Sequence, residues 1–106
     1  MLESRFQSKL IEELRELFPG CVVLKTDSSY IQGFPDLVIL YGKHWAALEC
    51  KESSSASRRP NQEYYVDMLG DMSYASFVYP GNKVEVLHDL QRAFTSRRPT
   101  RVSQRF

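Results

Sequence analysis

The spacing of apolar residues along the chain predicts a short alternation of helices and strands. Apolar positions three or four residues apart predict a first helix over residues 3–18: Phe6, Leu10, Leu14 and Leu17. A second helical stripe follows Pro60, whose ring suits the first turn of a helix, and covers residues 60–72. Short β-rich runs predict four strands, over residues 21–25, 36–41, 45–51 and 75–79.

The apolar pattern of residues 83–94 is compatible with two secondary structures. It fits a helix capped by Asn82, or a short strand over residues 84–87 followed by a helix. In either case the order of elements predicts an α/β fold, a small α-β-α sandwich around a mixed central sheet. The predicted strand over 36–41 has apolar residues on both of its faces, so we expect it to be central in the sheet and covered on both sides. One domain is predicted over residues 1–95, with an extended or disordered basic tail over 96–106.

Composition excludes several classes of protein. The chain has 106 residues, 42% hydrophobic and 25% charged, which is typical of one globular domain. The longest apolar runs are far shorter than the roughly 20 residues of a membrane-spanning helix. The N-terminus has no basic region followed by an apolar stretch, so a cytoplasmic location is expected, with no membrane partner. Cys21 and Cys50 lack the spacing of a zinc site or a disulfide framework.

Charge is distributed unevenly, although the formal net charge is only +1. Five arginines and no acids lie in residues 91–106, whereas residues 1–90 carry a balance of −4. A basic tail on an acidic body suits a protein that holds a polyanion near functional carboxylates. A solvated terminus that contacts nothing would give the same pattern.

Candidate chemistry is concentrated in the predicted hairpin 36–51. Glu49 and Lys51 alternate with Cys50, so they share one face of their strand, and Asp36 begins the neighbouring strand. Two carboxylates and an ammonium at one end of a sheet suit a hard divalent cation and a phosphate ester, since Mg²⁺ takes one or two protein carboxylates plus substrate phosphate.

Pro35-Asp36 followed by Glu49-Cys50-Lys51 resembles the motif of the PD-(D/E)xK nuclease superfamily. Gly33 before the motif and Gln62 after a basic, serine-rich loop resemble its VRR-NUC branch and the related archaeal-type Holliday-junction resolvases. The resemblance covers residues 3–87 and implies a restriction-endonuclease-like core. It also implies Mg²⁺, with Mn²⁺ as a substitute, held by Asp36, Glu49 and the main-chain carbonyl of Cys50. Catalytic roles would fall to Asp36, Glu49, Lys51 and Gln62.

The family also places a glutamate of the first helix at the metal. At about 100° per residue, Glu3 lies within roughly 20° of Leu10 and Leu14, the core-facing line of that helix. Glu3 is therefore the predicted additional ligand. A favourable charge in the first helical turn is the alternative explanation for it.

Several residues near the motif are predicted to contact DNA. They are Lys25, Ser28, Ser29, Arg58, Arg59, Arg97 and Arg98. Loop serines and solvated arginines are common without any such role.

The function implied is a metal-dependent endodeoxyribonuclease for branched DNA, a Holliday-junction resolvase of DNA recombination and repair that works as a homodimer. Two alternatives remain open. One is a less selective nuclease for flaps or duplex ends, and the other is a catalytically silent DNA-binding module.

Overall fold

The computed structural model describes residues 2–95, which form three helices and four strands. In chain order these are α1 (Glu3–Leu17), β1 (Val22–Lys25), β2 (Leu37–Tyr41), β3 (His44–Cys50), α2 (Pro60–Met72), β4 (Tyr74–Val78) and α3 (Lys83–Thr95). The predicted tail, with Arg97 and Arg98, lies outside the described residues. Within residues 2–95, no helix combines the length and the apolar character that crossing a membrane requires.

The strands form one mixed sheet in the order β1-β2-β3-β4. The β1–β2 and β2–β3 pairs are antiparallel, and β4 joins β3 in parallel after the α2 crossover. Gly42, with φ at +61°, makes the two-residue turn between β2 and β3. Because that turn is so short, it fixes the register of the hairpin, which runs from Tyr41–His44 to Leu37–Leu48. The predicted small α/β sandwich with a mixed sheet is confirmed.

The two faces of the sheet are covered to different extents. One face packs on α1 and α3 through a fully buried core that includes Leu10, Leu14, Leu37, Ile39, Leu48 and Leu90. On the other face, α2 packs against β3 and β4. Val22, Leu24 and Leu40 are consequently about half exposed on the β1–β2 part of that face. The expectation that residues 36–41 are covered on both faces is therefore wrong at Leu40.

The segment 83–95 is a helix throughout, and the alternative of a short strand at 84–87 is wrong. Its buried stripe is Val86, Leu90 and Phe94. Asn82 does not cap this helix with its side chain. Its amide instead accepts a hydrogen bond from the Tyr79 N–H (2.8 Å) and donates one to the Phe77 carbonyl (3.1 Å). Asn82 thus pairs with the outer edge of β4 as a neighbouring strand would.

Candidate active site

The end of the β2–β3 hairpin brings the predicted motif together. Ladder pairing stops at Leu37 and Leu48, and the next residues on the two strands are Asp36 and Glu49. Asp36 Oδ2 accepts a hydrogen bond from the Cys50 N–H at 2.9 Å, which fixes this carboxylate to the neighbouring strand. The Cys50 side chain is buried in the core. Glu49 and Lys51 therefore share the opposite face, as the alternation of side chains predicts.

Gln62, in the first turn of α2, connects the charged groups of this site. Its Oε1 accepts hydrogen bonds from Lys51 Nζ (2.9 Å) and from the Arg59 N–H (3.0 Å). Its Nε2 donates to Glu49 Oε2 at 2.8 Å. All three contacts agree with one orientation of the amide, because the oxygen accepts and the nitrogen donates. Gln62 therefore holds Glu49 and Lys51 beside each other, with their charged atoms 3.9 Å apart.

Burial makes the carboxylates of this site hard to ionise. Glu49 is only 4% exposed and Lys51 only 8%. Burial, followed by repulsion from Asp36, raises the pKa of Glu49 from 4.5 to about 7, although Lys51 opposes the rise. Burial likewise raises the pKa of Asp36, against the hydrogen bond from Cys50. Without a cation, the site therefore favours the protonated form of these two carboxyl groups, and a bound cation would favour their ionised form.

The donor set fits a divalent cation that keeps part of its water shell. Glu49 Oε1 is buried and makes no hydrogen bond with any residue of the described part of the chain. A buried carboxylate oxygen without a donor is unfavourable unless a cation or water occupies the adjacent space. Residues 2–95 assemble no group of three or more His, Cys, Asp or Glu side chains for a metal. Asp36 and Glu49 line one pocket and offer it two carboxylates, a number that suits Mg²⁺ with substrate and water oxygens.

Glu3, the predicted third acidic ligand, lies at the exposed start of α1. Partial burial and the nearby charge of Asp36 raise the pKa of Glu3, and Lys51 opposes this rise. The Glu3 side chain is thus close enough for the charges of Asp36 and Lys51 to change its pKa. Its role as a ligand stays a prediction, as does that of the Cys50 carbonyl.

The predicted DNA contacts divide into those inside the carboxylate pocket and those outside it. This pocket, of about 140 Å³, is lined by Asp36, Glu49 and Gln62, and also by Ser28 and Arg59.

The remaining predicted contacts within residues 2–95 do not line this pocket. Ser29 donates its N–H and hydroxyl hydrogen bonds to Asp27 (2.9 and 2.6 Å). Lys25 ends β1 opposite Leu37. The guanidinium of Arg58 lies 4.1 Å from the centre of the Phe77 ring, a cation–π contact that holds it against the sheet.

Sequence reasoning missed the contact that positions one wall of the pocket. Gly33 has φ at +87°, and a Cβ built on it would lie 2.5 Å from the side chain of Asn61. The loop before β2 and the first turn of α2 can approach this closely only because residue 33 is glycine. Gly33 before Pro35-Asp36 was a visible signal, but Asn61 gave none.

Comparisons with known proteins give the fold. No family model and no curated protein sequence matches the chain. Among solved structures, a protein described as "VRR_NUC domain protein" is similar at a TM-score of 0.66 and 18% sequence identity. The match covers 90% of this chain and 89% of that one. The VRR-NUC resemblance is thereby confirmed as a resemblance of fold, since the chain shares the fold of that VRR_NUC domain protein.

Proposed function

We propose that the protein is a divalent-metal-dependent endodeoxyribonuclease that cuts branched DNA, with four-way junctions as its preferred substrate. The observation that carries the proposal is the site at the end of the hairpin: Asp36, Glu49 and Lys51, connected by Gln62. The similar solved structure is described as a VRR_NUC domain protein, and this chain shares its fold. Mg²⁺ is the proposed cation, and Mn²⁺ a substitute for it.

Each residue of the site has a distinct task in this proposal. Asp36 and Glu49 would hold the cation, and the buried Glu49 Oε1 has no competing donor among residues 2–95. A cation there offsets the charge of the scissile phosphate and lowers the pKa of water. Lys51, held by Gln62, presents a positive charge to the attacking water and to the developing negative charge on phosphorus. Gln62 orients both Lys51 and Glu49.

The substrate preference and the homodimer belong together. A chain with one such site needs a second copy to cut two strands of a four-way junction symmetrically. The half-exposed apolar residues Val22, Leu24 and Leu40 form a surface on the sheet that a second copy would remove from water. Light scattering at micromolar concentration should then report about twice the 12.3 kDa chain mass.

A cleavage panel tests the proposal. The full chain is incubated with junction, flap, splayed-arm and duplex DNA in Mg²⁺, and the cut ends are mapped. Asp36→Asn and Glu49→Gln should each abolish cleavage, because each removes an anionic ligand with little change of shape. Asp71→Asn and Glu12→Gln are matched controls, since both acids are exposed and lie outside the carboxylate pocket.

The same panel separates the alternatives. Cleavage of flaps or ends without paired junction nicks would favour the less selective nuclease. Binding of every DNA without cleavage in Mg²⁺ or Mn²⁺ would favour the silent DNA-binding module. Wild-type cleavage rates in the Asp36 or Glu49 variants would refute the assignment of the site.

A further inference from the structure

The loop 26–36, between β1 and β2, lines two cavities. Ser28, Gly33 and Phe34 line the carboxylate pocket on one side. On the other side the loop lines an open hollow of about 400 Å³, formed by Thr26, Asp27, Tyr30, Ile31 and Phe34 and here called the side hollow. Phe34 lines both, so a group that enters the side hollow lies next to the carboxylate pocket.

The side hollow is held in place by contacts at both ends of the loop. Thr26 donates its hydroxyl hydrogen bond to the Pro35 carbonyl (2.6 Å) and its N–H to the Asp36 carbonyl (2.9 Å). Phe34 packs against Tyr65 of α2, with ring centres 5.5 Å apart. The start of the loop is therefore fixed to the main chain of Pro35 and Asp36, and its end is fixed to α2, the helix that carries Gln62. A site of this kind is formed before its ligand arrives.

The chemistry of the side hollow suits a flat apolar group better than a phosphate. Tyr30 is 83% exposed, and its ring shares the hollow with Ile31 and Phe34. Hydrogen bonds from Ser29 lower the pKa of Asp27, so a carboxylate anion lies at the edge of the hollow. That anion repels phosphate, but it can accept hydrogen bonds from the amino and imino groups of a base.

We propose that the side hollow is a subsite for one unpaired nucleobase of the DNA, stacked on Tyr30 beside the scissile phosphate. This inference rests on the proposed nuclease function and adds a selection rule to it. A base reaches the hollow only when it leaves its duplex stack, and unstacking is least unfavourable where the DNA is already unpaired. The protein should therefore favour DNA with an open base at the cut, such as a splayed arm or an opened branch point.

Fluorescence of 2-aminopurine tests the subsite without any cleavage. The base analogue is placed at successive positions of splayed-arm DNA and of a matched duplex, and the full chain is titrated in EDTA. The wild type should quench or shift one unpaired position strongly and the duplex weakly. Tyr30→Ala should weaken splayed-arm binding about tenfold relative to duplex binding, the scale of one base–aromatic stack. Tyr30→Phe should retain the preference, and Met72→Ala, which alters an exposed apolar side chain at the C-terminal end of α2 and outside the side hollow, should leave it unchanged.

Each result has a defined meaning. An equal loss of affinity for splayed and duplex DNA in Tyr30→Ala would overturn the subsite, as would no loss at all. A change from dimer to monomer in Tyr30→Ala would overturn it as well, because Tyr30 would then belong to an interface between copies. Tyr30-dependent quenching in a protein that never cleaves DNA would support the subsite while the nuclease proposal fails. Cleavage without any Tyr30 effect would do the reverse.

Discussion

Removing the buried charge of Glu49 should stabilise the metal-free protein at alkaline pH. The pKa of Glu49 in the folded protein is about 7, against 4.5 for the free side chain, because of burial and the proximity of Asp36. Between these two values the folded protein holds a proton that the unfolded chain has released. The free energy of unfolding must therefore fall as the pH rises from about 4.5 to about 7, and then level off.

The magnitude follows from the same two values. At about 1.4 kcal/mol per pH unit, the Glu49 term alone amounts to about 3 kcal/mol over the full interval. Glu49→Gln keeps the size of the side chain and removes the titration. We expect the variant to exceed the wild type by about 2–3 kcal/mol at pH 8 and by under about 1 kcal/mol at pH 5. Glu12→Gln, on the exposed side of α1, is the control for general charge effects.

Urea unfolding in EDTA at the two pH values measures this difference. Mg²⁺ added at pH 8 should then stabilise the wild type, because a ligand that binds only the folded state raises the free energy of unfolding, and it should do little for Glu49→Gln. The reasoning fails if the variant is no more stable than the wild type at pH 8, or if its advantage is the same at pH 5.

Three further changes are informative. Lys51→Ala should retain Mn²⁺ and DNA binding while cleavage falls about 10²-fold or more, since the lysine acts on developing charge; loss of metal binding would contradict that role. Asn82→Ala should lower the free energy of unfolding by about 1–2 kcal/mol, because the Tyr79 N–H and the Phe77 carbonyl would each be left without this partner, and unchanged urea unfolding would refute the edge-pairing interpretation. Deleting residues 97–106 should make the slope of log affinity against log salt shallower by about 0.9 for each phosphate that the tail neutralises, whereas an unchanged slope would make the tail a solvated end.

The third helix shows where sequence periodicity is insufficient. Val84, Leu87, Leu90 and Phe94 fit a helical stripe, and so do Val86, Leu90 and Phe94. The structure buries the second set and leaves Val84 68% exposed. Residue spacing cannot choose between two such stripes, because the choice depends on where the sheet lies beneath the helix.

For the candidate site as well, local sequence patterns predict some features, and others depend on tertiary packing. The positions of Asp36, Glu49 and Lys51 could be predicted, because a two-residue turn and the alternation of side chains fix them within one hairpin. The resemblance places Gln62 at the site, where a hydrogen bond with Lys51 is one of its possible contacts, and the structure shows this bond. The hydrogen bonds of Gln62 with Glu49 and Arg59 could not be predicted, and neither could the contact of Gly33 with Asn61. Both depend on how the first turn of α2 lies over the sheet, and no local pattern encodes that placement.

Pro35 and Asp36 both end the β2–β3 hydrogen-bond ladder and position groups of the candidate active site. Continuing the β2–β3 register beyond Leu37–Leu48 places Pro35 opposite Cys50. Proline has no N–H, so it cannot donate to the Cys50 carbonyl as another residue would. The Cys50 N–H is meanwhile taken by the Asp36 carboxylate, and the Pro35 carbonyl accepts from Thr26. The pair therefore ends the ladder, fixes one carboxylate, and leaves the Cys50 carbonyl next to Glu49 without its β2 donor. This arrangement supports the prediction that the Cys50 carbonyl joins Asp36 and Glu49 as a ligand of the cation.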